Sequence, residues 1–409
     1  MILNIVTGGL GTGMLSLPWA MAGASISVGV VVIVGVIIVN LFTTSILVTA
    51  AERYQIFDLA GVLGKLPGRL GPGMQIFTNL MVWVALFGSL LSYIISIQDS
   101  VEASTFFKGT VLDHRDRVAI LAGLIVLPLC FLEQRYLSFT SSMAILVNVY
   151  LVIMVCALFM QNVVGDALPA GICAVGMTQG SITMVSTMMQ SVIIQMCILP
   201  MYKELEDRSP QKFGRVMLAS FSILGALLIL YSIAGYMAFG PCVQSNLLKS
   251  FPDGVFSKIA QLSMVFACFA VYPIMMIAMI APIKNCSLEQ RQKQVVASVT
   301  AGFVLASVLM ALTVDQLGIV NVIDGALCLF VFVALAPGLV GLFLLDRSST
   351  AWKASMATLI TLGTILAFLG FIFLDNQPAL LGDGGCFLPK SSGSISIHCP
   401  VHLASETGN

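Results

Sequence analysis

The sequence predicts an all-α polytopic membrane protein of eleven transmembrane helices, a 5+5 inverted repeat with helices 1 and 6 broken and helix 11 added. Three observations predict it. The 409-residue chain is 58% hydrophobic and 9% charged, with a mean hydropathy of +1.01, whereas a soluble domain carries about 25% charged residues. Apolar windows of bilayer-crossing length recur eleven times. Two of them, five apart, hold residues that interrupt a helix, the sequence pointer to an inverted repeat with a site between its halves. The formal net charge is zero and no basic run points to nucleic acid as a partner.

The first window, about 3–22, lies in MILNIVTGGLGTGMLSLPWAMAGA. Gly8, Gly9, Gly11 and Gly13 crowd its middle, and each costs roughly 1 kcal/mol of helix propensity against alanine. In lipid, backbone groups released from a helix need partners in the protein or in a polar cavity. A breakable helix at that depth therefore marks a binding site. The plainer alternative is that these small residues let neighbouring helices approach closely. Met1 runs straight into the window, so no cleavable signal peptide is expected.

The second window, Ser25 to Ala51, follows a short turn, and a polar loop with Glu52, Arg53, Asp58, Lys65 and Arg69 leads to the third, about 75–98. The fourth covers about 118–132, and Glu133-Gln134-Arg135 separates it from the fifth, about 139–162. The sixth, about 180–202, carries Gln190, Ser191, Gln195 and Pro200 and ends in the charged run Lys203 to Arg208. The remaining five cover about 216–239, 256–283, 295–314, 318–344 and 352–374. One transporter unit thus occupies 1–374, with repeat one about 3–162, repeat two about 180–344 and the extra helix about 352–374. Residues 375–409 read as a flexible polar tail.

Orientation follows from the Lys/Arg bias of short loops. Loops on the side of the N-terminus hold 13 basic residues against 6 on the other side. The N-terminus is therefore expected in the cytoplasm and the tail outside or in a lumen; plasma membrane and vacuole or lysosome stay open. Ten cysteines are scattered without a CxxC pair, so neither a zinc site nor a redox motif is indicated. Cys173 and Cys242 in loops, and Cys386 and Cys399 in the tail, are available for disulfides in an oxidising compartment.

Five motifs in order then resemble the amino acid/auxin permease family, of the amino acid–polyamine–organocation superfamily with the LeuT-type fold. They are TGGLGTGMLSLPWAMAGAS in span 1, the Ser92-Tyr93 pair in span 3, LPMYKELEDRSPQKF closing span 6, Gly235 to Gly240 closing span 7, and LGIVNVIDGALCLFVFVALAPGL in span 10. The resemblance covers nearly all of residues 1–374 and implies secondary active transport of amino acids driven by protons or sodium. It implies that the substrate's carboxylate and amino groups meet the two unwound segments. The physics agrees: a half-helix N-terminus suits a carboxylate, and freed carbonyls take an ammonium or a cation. Leu10, Gly11, Thr12 and Gly13 are the expected backbone contacts, with Ser191 and Gln195 as further substrate-binding candidates. For Thr12 the alternative is a hydroxyl bonded back to its own helix.

In sodium-coupled members the resemblance points to an Asn in span 1 and a hydroxyl residue in span 8 just before a proline. Here the first position matches Thr7, and the second falls at Phe269-Ala270-Val271, where Ala270 and Val271 offer no side-chain oxygen. The pattern favours H+ over Na+ as coupling ion, with no other cofactor. Asp324, a turn inside span 10, reads as the only acidic residue well placed within a span, a proton acceptor or part of an external gate. The alternative is an interfacial aspartate wetted by loop water. His114, His398 and His402 fall in loop and tail, so no histidine relay crosses the membrane. No HExxH, GxSxG or buried carboxylate pair points to an enzyme. The expected protein moves neutral amino acids by alternating access, with small-molecule substrate and membrane lipid as its partners. A sodium-coupled symporter and a transporter-fold amino acid sensor are the alternatives.

Overall fold

The computed structural model describes residues 1–132, 134–169, 171–177, 180–284, 289–345 and 349–374. Side chains at 3, 4, 7, 111, 134–143, 281–284 and 289–293 are outside that description, as is all of 375–409. Among the described residues every regular element is a helix. They are α1 (Ile2–Gly9), α2 (Leu17–Ala24), α3 (Ile26–Tyr54), α4 (Leu59–Leu63), α5 (Leu70–Ala103), α6 (Arg115–Leu129), α7 (Gln134–Val164) and α8 (Gly180–Val192). There follow α9 (Gln195–Lys203), α10 (Pro210–Phe239), α11 (Val255–Lys284), α12 (Glu289–Ala311), α13 (Leu317–Cys328), α14 (Ala336–Phe343) and α15 (Thr350–Ile372). Among the described residues, nine stretches are long and apolar enough to cross a membrane. The other two expected spans are the broken α1–α2 stretch and α6, which has only 15 residues.

Local chemistry sets the ends. Ser209 caps α10 by accepting from the Lys212 N–H at 3.2 Å, with Pro210 at the first helical position. Gly240 ends that helix at φ 68°, a left-handed conformation that glycine adopts without steric cost. Asp58 caps α4 through Gly61 N at 2.6 Å.

The helices pack as two bodies. The α1–α2 pair, α3, α8 and α10 gather on one side, and α5, α6, α11 and α12 on the other. Two helices bridge them: α7 packs on both α10 and α11, and α13 on both α8 and α5. Between α13 and α14 the chain makes seven residues of π-helix, Leu329–Leu335, against which α15 lies.

The helix α5 runs further than expected and takes Asp99 into its last turns, 1% exposed. Asp324 is therefore not alone as a buried carboxylate on a long apolar helix, a correction to the sequence reading. Asp99 is paired. Its Oδ1 lies 2.5 Å from Arg115 and 3.7 Å from Lys249, and its Oδ2 accepts from Asn246 at 3.1 Å. Arg115 and Lys249 also each reach Glu102 at 3.0 Å. Burial pulls the Arg115 guanidinium down, but Asp99, then Glu102 and Asp315, outweigh it and the net shift is upward. This clamp fixes the 240–254 segment, whose Leu247 and Leu248 are fully buried and whose Leu247–Ser250 turn packs against Thr12–Ser16. Cys173 and Cys242, on the same side, are both disulfide-bonded.

Candidate functional site

Both expected breaks are present. The first lies where α1 stops at Gly9: Leu10 and Gly11 leave the helix, Gly11 is extended (φ −100°, ψ −162°), and Thr12–Ser16 forms a 3-10 turn before α2. The released groups are met from neighbouring helices. Asn148 on α7 donates from Nδ2 to the Leu10 carbonyl. Asn321 on α13 donates to Ser16 Oγ at 2.9 Å and accepts from Ser92 Oγ on α5 at 3.1 Å. Two asparagines thus hold the unwound stretch at either end. The Tyr93 hydroxyl comes 3.9 Å from where a Cβ of Gly11 would stand.

The second break falls at Ile193–Ile194, between α8 and α9. Gln195 creates a local substitute for the lost helical bonds. Its Oε1 accepts from the Ile194 N–H at 3.2 Å, and its Nε2 donates to Asn40 Oδ1 at 2.5 Å and Thr43 Oγ1 at 3.4 Å on α3. Asn40 also donates to the Val36 carbonyl at 2.8 Å. The Gln195 amide is engaged at both ends, so it fastens α9 to α3.

The breaks meet at one point. A Cβ on Gly13 would stand 2.8 Å from Ser191 Oγ and 3.1 Å from Ser191 Cα, so the two chains touch backbone to backbone there. Ser191 Oγ bonds to Thr187 O at 3.0 Å. Thr12 and Leu10 are buried at 4% and 5% exposure. Of the expected ion residues, Thr7 lies in α1 but its side chain is outside the described residues. Ala270 and Val271 lie within α11.

Asp324 is 4% exposed, at the junction of α5, α8 and α13. Its neighbours are Gly88 and Ser89 from α5, Gln190 from α8 and Cys328 from its own helix, none carrying a formal charge beside it. Ser89 Oγ stands 3.5 Å from Asp324 Oδ2, and Gln190 Nε2 stands 3.5 Å from Ser89 Oγ. A Cβ on Gly88 would fall 2.8 Å from the carboxyl carbon, so the missing side chain makes the room Asp324 occupies. On the side opposite the clamp, a cleft of about 690 Å³ opens between Gln55–Asp58 and Pro200, Lys203 and Glu204.

The residues that sequence reasoning missed are the three asparagines. Asn40, Asn148 and Asn321 are each 6% exposed or less on long apolar helices. A buried amide in such a helix is costly unless paired, and that cost was the available signal.

Two bodies of helices, two bridging helices and two facing breaks define the broken-helix fold of the LeuT type. Solved structures share this architecture. Mhp1, a nucleobase-cation-symport-1 family transporter in a closed conformation with bromovinylhydantoin bound, aligns at TM-score 0.54 and 12% identity, over 91% of each chain. A Na+-coupled sialic acid symporter in a substrate-bound outward-open state aligns at TM-score 0.53 and 12% identity, over 94% of this chain and 90% of that one.

The chain belongs to the family described as transmembrane amino acid transporter protein, which matches residues 1–374. Amino acid transporter AVT1H of Arabidopsis thaliana is 26% identical over 389 residues, covering 90% of this chain and 87% of the relative. Sodium-coupled neutral amino acid symporter 2 of Danio rerio is 26% identical over 286 residues, covering 61% of this chain and 55% of the relative. The protein is a multi-pass membrane amino acid transporter by family, not an enzyme.

Proposed function

We propose that this chain moves neutral amino acids by alternating access and draws on a proton gradient to do so. The observation that carries the reading is Asp324, a carboxyl buried among neutral groups where the two bodies meet a bridging helix. Such a group is costly in a membrane and is retained for function. A proton from water on one side binds Asp324, and rearrangement releases it to water on the other. The substrate's carboxylate meets the backbone of Leu10–Gly13 and its ammonium meets freed carbonyls. Asn148, Tyr93, Ser191 and Gln195 near the breaks are all neutral, which suits a substrate side chain without charge.

Uptake of labelled amino acids into proteoliposomes under an inward proton gradient, an inward sodium gradient or neither tests this. Accumulation with protons alone, lost in Asp324→Asn, is expected. The competing sodium reading draws on the similarity to the zebrafish sodium-coupled symporter. Accumulation with sodium alone would establish it, with carbonyls replacing the oxygens that Ala270 and Val271 lack.

The same reading puts the N-terminus in the cytoplasm. Basic loops then face inward, while the clamp, Cys173 and Cys242 face the oxidising side. A membrane-impermeant maleimide applied to intact cells should label Cys173 and Cys242 only after reduction. Labelling of Lys203-side cysteines introduced at Glu204 from the same face would reverse the orientation.

A further inference from the structure

We infer that Gln190 is the residue through which the protonation state of Asp324 is passed to α8, and hence to the second break. The inference rests on the reading of Asp324 as the proton site and adds a positioning residue to it. Three observations converge on this side chain. It sits three residues before the break at Ile193. Its Nε2 stands 3.5 Å from Ser89 Oγ on the opposite body, and that hydroxyl stands 3.5 Å from Asp324 Oδ2, so the amide lies in the carboxyl's immediate surroundings. Its Oε1 is buried with no hydrogen-bond partner among the described residues.

An unpartnered buried acceptor is costly, and protonation of Asp324 adds a donor to this cluster that the carboxylate lacks. A carboxylate only accepts, so deprotonated Asp324 takes the Gln190 N–H. A carboxylic acid carries an O–H, which Gln190 Oε1 can accept once the amide turns toward it. A half-turn of the amide exchanges Oε1 for Nε2, so one side chain serves both states. The contacts in place are long, 3.5 Å for Ser89 to Asp324 and 3.5 Å for Gln190 to Ser89, and weak enough to be exchanged. The step balances simply: an O–H bond of hydronium breaks as one forms on Asp324, leaving water, and on release the Asp324 O–H breaks as water on the other side becomes hydronium.

The groups facing Asp324 leave no rival for this role. Ser89 and Gly88 face it from α5, Gln190 from α8, and the Cys328 thiol from α13 itself. Of these only Gln190 stands on the helix that ends at the second break. The packing of α13 on α8 is close at this level, since a Cβ on Gly325 would overlap the Ser186 carbonyl. A turn of α8 that follows the amide is therefore felt by α13 directly.

The test compares wild type, Asp324→Asn and Gln190→Met in full-chain proteoliposomes. It uses the labelled amino acid that wild type accumulates best under an inward proton gradient. Gln190→Met keeps the length of the side chain and removes both hydrogen-bonding atoms. The expected result is that its accumulation ratio falls at least fivefold toward equilibration, as in Asp324→Asn, while labelled substrate still exchanges measurably with unlabelled. Wild-type accumulation by Gln190→Met, with Asp324→Asn deficient, would overturn the role of Gln190 and leave the Asp324 reading standing. Wild-type accumulation by Asp324→Asn would overturn both.

Gln190→Glu keeps the inference testable if the methionine variant does not fold. Two neighbouring carboxyls cannot both ionise easily, so the midpoint of the pH dependence of uptake should move alkaline by about one unit or more. An unmoved midpoint in that variant would show that residue 190 does not sense Asp324.

Discussion

At the scale of single residues, the site depends on what is missing from Gly13 as much as on what its neighbours offer. Gly13→Ala puts a methyl within 2.8 Å of Ser191 Oγ and forces the two breaks apart. Uptake should fall at least tenfold with the protein still at the membrane, and Ser191→Gly should restore part of it by removing the Oγ. Full activity in Gly13→Ala would mean that the breaks need not touch. Asn321→Ala strands the Ser16 and Ser92 hydroxyls, at a cost of about 1–2 kcal/mol. Its expected signature is an apparent KM raised at least threefold in saturation uptake. The glycines of the first break were legible because each has a known helix cost. Asn321 was not, because an isolated amide in an apolar run declares its partners only once Ser16 and Ser92 have been brought to it from distant spans.

At the scale of elements, the two breaks have different origins. The first follows from composition, with glycine removing helix propensity. The second, at Ile193–Ile194, follows from competition, since both residues are apolar and neither is glycine nor proline. Gln195 offers the Ile194 N–H an alternative hydrogen bond, and only folding brings Asn40 on α3 within reach of its amide. That explains why the sixth span could be singled out from its glutamines while the position of its break could not. The π-helix at Leu329–Leu335 was not foreseen at all, because a π turn has no residue signature and arises from one extra residue fitted into a helix. Deleting Val331 removes that residue and keeps both flanks in register. The variant should fold, judged by a monodisperse size-exclusion profile, and transport at least tenfold more slowly. Unchanged turnover would make the π segment a packing feature against α15 and no hinge.

At the scale of the whole molecule, composition alone carried the class, and window length carried most of the spans. What it missed was where α5 ends, because Asp99 and Glu102 stop an apolar window but do not stop a helix whose charges are paired. The clamp around Asp99 joins α5, α6 and the 240–254 segment over the first break. Removing one partner of a buried ion pair costs about 3 kcal/mol, so Asp99→Ala should lower the thermal midpoint of the purified protein by several degrees. A cysteine placed at Ser250 should also react faster with an impermeant thiol reagent in that variant. An unchanged rate would show that the segment is held by Leu247 and Leu248 alone.

The clamp also carries a consequence for any study of ion dependence. Its inner partner, Asp99, is 2% exposed at the side chain, but Glu102 and Lys249 are 47% and 30% exposed and stand where dissolved salt reaches them. At 0.15 M salt a free charge is screened within about 8 Å, and at lower salt the reach is longer. Moving from dilute buffer to sodium chloride therefore loosens the exposed half of the clamp whatever the cation. A rise in uptake on adding sodium counts as coupling only if choline chloride of equal strength does not reproduce it.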